Sequence, residues 1–180
     1  EEILTEKSPS GKGFLSKCSE LWEQSADLLK NHATRISKIR IGLVLSTNGG
    51  ALPKILMTKN LGFLSYFGDG QQYYSWIHID DLCSIFIQAT LDSKYTGVIN
   101  GVSPTPLTNK ALTQKIKKGL NSKALVVPAP AIGLRIAMGE MANVVLNSTK
   151  VIPEKLQEIN HQWKYAQLET AIKDLHDRQI

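Results

Sequence analysis

The sequence has few of the features that mark secreted scaffolds or membrane spans. Its 180 residues include only two cysteines, Cys18 and Cys83, which excludes a disulfide framework. No apolar run approaches the roughly 20 residues that span a bilayer, and no basic-then-apolar signal segment stands at the start. Hydrophobic residues make up 42% and charged residues 21%, as in ordinary globular domains. We therefore expect a folded protein of a reducing, cytoplasmic compartment.

Glycine-dependent motifs are also missing. A dinucleotide-binding turn needs Gly-x-Gly-x-x-Gly between a strand and a helix, because glycine lets the backbone approach the pyrophosphate. Gly11 and Gly13 follow no predicted strand, and the pair Gly68 and Gly70 precedes one. A Walker loop and a Gly-x-Ser-x-Gly elbow are absent as well. The residues alone therefore indicate no phosphate-binding turn and no hydrolase nucleophile.

Charge and histidine placement point to no special partner. The formal net charge is +5, and a local excess of lysines comprises Lys110, Lys115, Lys117, Lys118 and Lys123. We interpret this excess as the solvated face of a helix. Nucleic-acid binding is not expected because no aromatic residues are interleaved to stack bases, and docking of an acidic partner is the weakest of the readings. None of the four histidines has metal-ligand spacing, so no metal site is predicted.

Hydrophobic periodicity predicts an α/β layered fold. The run IRIGLVL, residues 39–45, is typical of a strand buried on both faces of a parallel sheet. Further strands are predicted over 73–79, 97–102 and 125–127, and helices over 13–31, 80–91, 110–120, 132–146 and 168–175. Asp80 and Asp81 are predicted to cap the second helix. The chain opens with a loop and a helix, whereas a doubly wound domain normally opens with its best strand.

Six strings in order carry a resemblance to a known family: TEKSPSGKGFLSKCSELWE, IRIGLVLSTNGGALPK, FGDGQQYYSWIHIDDL, GVINGVSPTPLTN, PAPAIGLRIAMGEMA and KVIPEKL. They resemble the NAD(P)-dependent epimerase-like family, which are atypical extended short-chain dehydrogenase/reductases related to sugar-nucleotide epimerases. The resemblance implies that the chain is the C-terminal portion of a Rossmann-like protein. Residues 1–125 would hold the end of that domain with the substrate region, and 126–180 a small family-specific C-terminal domain.

The resemblance also implies which residues meet the ligands. Arg40, Gly42, Leu43 and Val44 would lie near the nicotinamide of NADP or NAD, with Gly42 allowing close backbone approach. Gln72, Trp76 and His78 are candidates for the substrate pocket, and a bracing role for the same three side chains is an equal alternative. The resemblance does not include the N-terminal half of such proteins, which binds the adenine and pyrophosphate. The chain alone is therefore expected to bind no cofactor.

The catalytic pattern of such relatives is not matched. Phe14 stands where the Tyr of a Tyr-x-x-x-Lys pair would be, and Cys18 where the Lys would be, so no catalytic residue is assigned. Tyr74 and Ser75 stand where an Arg commonly clamps a diphosphate. The expected function is that of an NAD(P)-dependent oxidoreductase or epimerase (isomerase) acting on a small carbonyl or sugar-nucleotide-like substrate. The alternative is a non-catalytic, nucleotide-binding regulator or interaction module. The expected partners are the missing N-terminal half and a small substrate, and homo-oligomerisation is left open.

Overall fold

A computed structural model describes residues 2–29, 35–139 and 142–178, and it shows mixed helices and strands. The strands are β1 (Ser37–Ile41), β2 (Leu43–Leu45), β3 (Phe63–Phe67), β4 (Tyr73–Tyr74), β5 (Trp76–His78), β6 (Gly97–Gly101), β7 (Leu107–Thr108) and β8 (Leu125–Ala129). The α-helices are α1 (Phe14–Asp27), α2 (Ala51–Leu56), α3 (Ile79–Leu91), α4 (Asn109–Gly119), α5 (Ala131–Met138), α6 (Ala142–Leu146), α7 (Glu154–Glu158) and α8 (Leu168–Asp177). No helix in the described ranges is long and apolar enough to cross a membrane.

Parallel pairing dominates the strands. Three parallel pairs form, β1 with β6, β2 with β5 and β3 with β8, while β4 pairs antiparallel with β7. Parallel pairs joined through helices are the mark of an α/β protein, so the predicted α/β class is confirmed. That the chain is the C-terminal portion of a larger Rossmann-like protein, with a domain boundary between residues 125 and 126, stays a prediction.

The strand predicted over residues 39–45 is divided at Gly42. The Gly42 N–H donates to the Gly101 carbonyl at 3.3 Å, and the next N–H, that of Leu43, donates to the Ser75 carbonyl at 2.7 Å. The chain thus exchanges one strand partner for another within a single residue. A Cβ on Gly42 would lie 2.4 Å from the Ser75 carbonyl oxygen and 2.6 Å from Val102 Cγ1. Close protein packing therefore requires glycine here.

Two groups of buried apolar residues hold the layers together. The larger group joins α4 and α8 to the strands through side chains such as Leu64, Trp76, Ile116 and Ile172. The smaller joins α3, β5 and β6 to α7 and includes Ile85 and the other buried members Ile77, Leu82, Tyr95, Ile99 and Leu156. Each fully buried aliphatic side chain of this kind contributes about 1.5–3 kcal/mol, so both helical layers are fixed against the strands.

Helix capping follows the sequence in one place and departs from it in another. Thr108, a residue type that favours helix starts, caps α4, since its Oγ1 accepts from the Ala111 N–H at 3.3 Å. The predicted cap of α3 by Asp80 and Asp81 is wrong, because the acceptor for its first turn is Nδ1 of His78, 3.0 Å from the Asp80 nitrogen. The helix predicted over 132–146 is likewise two helices, and the first ends at Gly139 with φ of 56°.

Candidate functional site

A largely apolar cleft of about 900 Å³ opens beside β1, β3 and α2. Its wall combines the β1–β2 junction and parts of α2, β3, β4 and residues 145–151 with Leu4, Thr5, Ser8 and Pro9. Ile41 and Phe67, the last residues of the parallel strands β1 and β3, both line it. The carboxyl ends of parallel strands are where open α/β sheets bind ligands, which makes this cleft the candidate site.

Ser75 fastens one wall of the cleft. Its Oγ accepts from the Val151 N–H at 2.8 Å and lies 3.0 Å from the carbonyl oxygens of Thr149 and Val151. The neighbouring Tyr74 hydroxyl donates to the Val145 carbonyl. Burial raises the pKa of Tyr74 to about 12, so this hydroxyl keeps its proton at neutral pH. The two side chains that replace the expected diphosphate clamp therefore hold the protein's own backbone.

The first residues of the chain complete the same wall. The Leu4 N–H donates to the Lys150 carbonyl at 2.9 Å, and the Ile152 N–H donates back to the Leu4 carbonyl at 2.9 Å. Leu4 and Val151 are thereby paired as a parallel bridge. Asn100 Nδ2 adds a donor to the Ile152 carbonyl at 3.0 Å. Residues 149–152 lie between Leu4 and the strand layer and are bonded to both.

Three of the four residues predicted to contact a nicotinamide line the cleft. These are Arg40, Gly42 and Leu43, whereas Val44 packs against the smaller apolar group. Arg40 donates to both carboxylate oxygens of Glu23 on α1, at 2.6 and 2.8 Å. The hydrogen bond from Arg40 keeps the pKa of Glu23 below its usual range, although partial burial opposes it. The Arg40 charge is thus already paired.

The three predicted substrate residues do not line the cleft. Gln72 Nε2 donates to the Phe67 carbonyl at 3.1 Å, and Trp76 Nε1 donates to the Thr105 carbonyl at 3.1 Å. Both side chains are buried, and so is His78. Their contacts brace the fold, and Gln72 also supports the cleft wall from behind through its hydrogen bonds to the Phe67 and Val145 carbonyls. Their assignment to the substrate pocket stays a prediction.

His78 lies in a buried network that joins α3 to α8. Because Nδ1 accepts from a backbone N–H, the neutral ring carries its proton on Nε2, and Nε2 lies 3.2 Å from Asp174 Oδ2 without the direction of a hydrogen bond. The ring stacks on Tyr165 with centroids 3.9 Å apart, and the Tyr165 hydroxyl donates to Asp174 Oδ1 at 2.6 Å. Burial lowers the pKa of His78, against the attraction of nearby carboxylates, so the ring is neutral at pH 7.

The same network brings together potential metal ligands. Ligand atoms of His78, Asp80 and Asp174 lie within 4.8 Å of one another. Arg178, however, donates to both oxygens of Asp80 and its Nε lies 2.7 Å from Asp174 Oδ2. The hydrogen bonds from Arg178 lower the pKa of Asp80. The guanidinium already bonds to both carboxylates, so the cluster is an ion-pair network that holds α8 in place.

Sequence reasoning missed Lys54, which lies on α2 and lines the cleft. The structure gives its ammonium no ion pair within the described ranges. Its only signal in the sequence was its position in the string GGALPK. Phe14 and Cys18, the residues at the positions of the missing Tyr and Lys, lie on α1 outside the cleft wall, and the Phe14 side chain is 80% exposed.

The described fold is of the α/β class, and its structural neighbours include an epimerase and a dehydratase. The structure is similar to that of UDP-N-acetylglucosamine 4-epimerase from Bacillus cereus, with a TM-score of 0.73 over 96% of this chain and 57% of that one. At 17% identity this likeness shows the fold alone. Substrate and reaction do not transfer from it.

Closer relatives narrow the class. The chain is 36% identical over 171 residues to the chloroplastic homolog of epimerase family protein SDR39U1 from Arabidopsis thaliana, covering 95% of this chain and 49% of the relative. It is 31% identical to human epimerase family protein SDR39U1, solved with NADPH, with a TM-score of 0.88 over 98% of this chain and 60% of that one. Residues 129–175 match a domain of unknown function, DUF1731.

These similarities support the NAD(P)-dependent epimerase-like short-chain dehydrogenase/reductase family expected from the sequence. The chain spans about half the length of the curated relatives it matches. A nicotinamide cofactor is found in a related protein. For this chain, the cofactor, the reaction and the substrate are matters of proposal.

Proposed function

We propose that this chain forms the substrate side of an NAD(P)-dependent epimerase or oxidoreductase that acts on a small carbonyl or sugar-nucleotide-like compound. The observation that carries the proposal is the cleft at the carboxyl ends of β1 and β3, with Arg40, Gly42 and Leu43 in its wall. The similarity to an NADPH-bound relative over 98% of the chain supports it.

The residues present fit the nicotinamide end of such a cofactor and not its phosphates. Leu43 offers an apolar wall against which a nicotinamide ring can pack, and Arg40 is held in place by Glu23. The Cβ position of Gly42 is occupied by Ser75 and Val102. A nicotinamide ring therefore has no room on that side of Gly42. The bound cofactor would supply hydride. The chain's part is to orient the substrate and to exclude water from the cleft.

The phosphate grip would come from a further polypeptide portion, either joined to this chain or separate. We expect this portion to pack on the apolar face of α1 and of Leu28, which directly follows the helix. The side chains of Phe14, Trp22 and Leu28 are 80%, 78% and 78% exposed. No α1 side chain is buried, and β1, beside it, pairs on one edge only within the described ranges. A strand edge and an apolar helix face together form a surface that β–α units complete.

Complementation tests this proposal. The chain is co-expressed with the N-terminal half of the human or Arabidopsis relative, and NADPH binding is measured by fluorescence titration. We expect the pair to bind NADPH and the chain alone to bind far more weakly. Trp22→Asp should abolish complementation, whereas Ile132→Asp, equally exposed on α5 at 72%, should not. Equal NADPH binding with and without the second half would overturn the proposal that another polypeptide portion binds the phosphates.

The second candidate is a non-catalytic regulator that binds nucleotide on the same fold. Phe14 and Cys18 at the positions of the Tyr and Lys favour it, because neither supplies the phenolic proton. A panel of aldehydes and ketones separates the two readings in the complemented protein. NADPH oxidation that depends on a carbonyl compound supports the enzyme, and tight NADPH binding without oxidation by any member supports the regulator.

A further inference from the structure

The charges of the cleft wall limit what the cleft can hold. Two cations line it, Arg40 and Lys54, and the described lining includes no acidic residue. Arg40 is committed to Glu23 through two hydrogen bonds. Lys54 therefore supplies the unpaired positive charge of the wall.

Four polar side chains of the wall are also committed to bonds within the protein. Tyr74 and Ser75 bind backbone groups of residues 145–151, and Asn100 Nδ2 binds the Ile152 carbonyl. Asn109 Oδ1 accepts from the Phe67 N–H at 2.6 Å. A nucleoside-diphosphate group, with two charged phosphates, would need several cations and free donors. The described wall offers one unpaired cation.

The surface next to Lys54 is apolar. Ile55 and Met57 follow Lys54 along the chain, and Phe67 and Val145 line the same cleft. A methionine thioether adapts its shape to irregular apolar ligands, and Met57 is 73% exposed. A long lysine stem also packs along apolar groups while its ammonium stays in water. The wall thus combines an apolar surface with a single cation at its edge.

We propose that the cleft binds an elongated apolar molecule with one anionic group of the carboxylate class, with the anion at Lys54 and the apolar body against Ile55, Met57 and Phe67. If the proposed function holds, this ligand class is that of its substrate. The binding itself needs neither a cofactor nor a second polypeptide. A sugar nucleotide is the class that this wall disfavours.

Calorimetric titration of the 180-residue chain tests the proposal with octanoate, octanol and UDP-glucose as probes. Octanoate should bind roughly 1.5- to fivefold more tightly than octanol, the range that one exposed charge pair supports, and UDP-glucose should bind more weakly than either. Lys54→Met should make octanoate and octanol equal, because it keeps the stem and removes the charge. Lys54→Arg should restore the preference, and Lys123→Met, an exposed lysine outside the cleft wall, should leave it unchanged.

Three results would overturn the proposal: octanoate and octanol binding equally to the unmodified chain, a preference that survives Lys54→Met, or tightest binding of UDP-glucose. The second result would mean that octanoate binds another apolar surface, such as the face of α1. These outcomes are independent of NADPH. A chain that prefers octanoate through Lys54 but never takes up NADPH with its complement would retain this inference and lose the proposed function.

Discussion

Replacing Ser75 by alanine should loosen the wall of the cleft by an amount that the contacts define. The Ser75 hydroxyl is the partner that the structure shows for the Val151 N–H, at 2.8 Å, because the other edge of this segment bonds to Leu4 through its neighbours. Ser75 is only 7% exposed. Ser75→Ala therefore leaves a poorly hydrated N–H without a partner, at a cost of about 1–3 kcal/mol.

Amide hydrogen exchange and urea unfolding measure this effect. A cost of about 1–3 kcal/mol corresponds to exchange at Val151 that is roughly 5- to 150-fold faster if residues 149–151 open locally. Ser65→Ala is the matched control, because Ser65 also lines the cleft and the structure shows no hydrogen bond from its side chain. If both variants lose the same free energy of unfolding and Val151 exchanges at its original rate, then Ser75 does not fasten the wall.

Three further expectations follow from the packing and the charges. Gly42→Ala should lower the free energy of unfolding by about 1–3 kcal/mol or more, because the new methyl group overpacks the site. Gly133→Ala is the control, since open space surrounds its Cβ position, and it should not lower that free energy. Equal urea midpoints for the two variants would contradict the clash at Gly42. Asp81→Asn should lower the free energy of unfolding by about 1–3 kcal/mol. The two buried carboxylate oxygens accept backbone N–H groups at 2.8 and 2.9 Å, whereas an amide offers one oxygen. An unchanged urea midpoint would show that one acceptor suffices. Burial lowers the pKa of His78 and of His161 below the ordinary histidine pKa of 6.5. Below pH 6.5 the unfolded chain therefore binds more protons than the folded one, and the free energy of unfolding should fall as the pH drops. The slope is at most about 1.4 kcal/mol per pH unit for each histidine. His78→Asn, which keeps an acceptor for the first turn of α3, should reduce that slope, and an unchanged slope in urea titrations at pH 5 to 7 would assign the effect elsewhere.

The helices were predictable where their signals are local. The bounds predicted for α3, α4 and α8 differ from the observed ones by one or two residues, because each has apolar residues at helical spacing and a polar start. β3 was missed, since its run FLSYF has weak alternation and its partner β8 lies some 60 residues further on. The break of the first strand at Gly42 was also missed. Its cause is the exchange of partners from β6 to β5, which is a tertiary event.

The site was predictable only through the strand end at residues 40–43. Trp76 and His78 alternate along β5 and so share one face, but nothing local says whether that face meets the cleft or the core. The structure places both in the core. Lys54 could not be found from its neighbours, because its importance lies in Arg40 being paired with Glu23, a contact that no sequence pattern near Lys54 encodes.

The bridge between Leu4 and Val151 has a consequence for biosynthesis. Within the described ranges Leu4 has its backbone partners at residues 150 and 152, so this bridge cannot form until residue 152 has been translated. At typical elongation rates this interval is roughly 7–30 s. During that time the segment around Leu4 is available to chaperones and proteases, while α3 and α4 can already assemble with their neighbouring strands. Ligand uptake would accordingly be among the last properties that a nascent chain acquires.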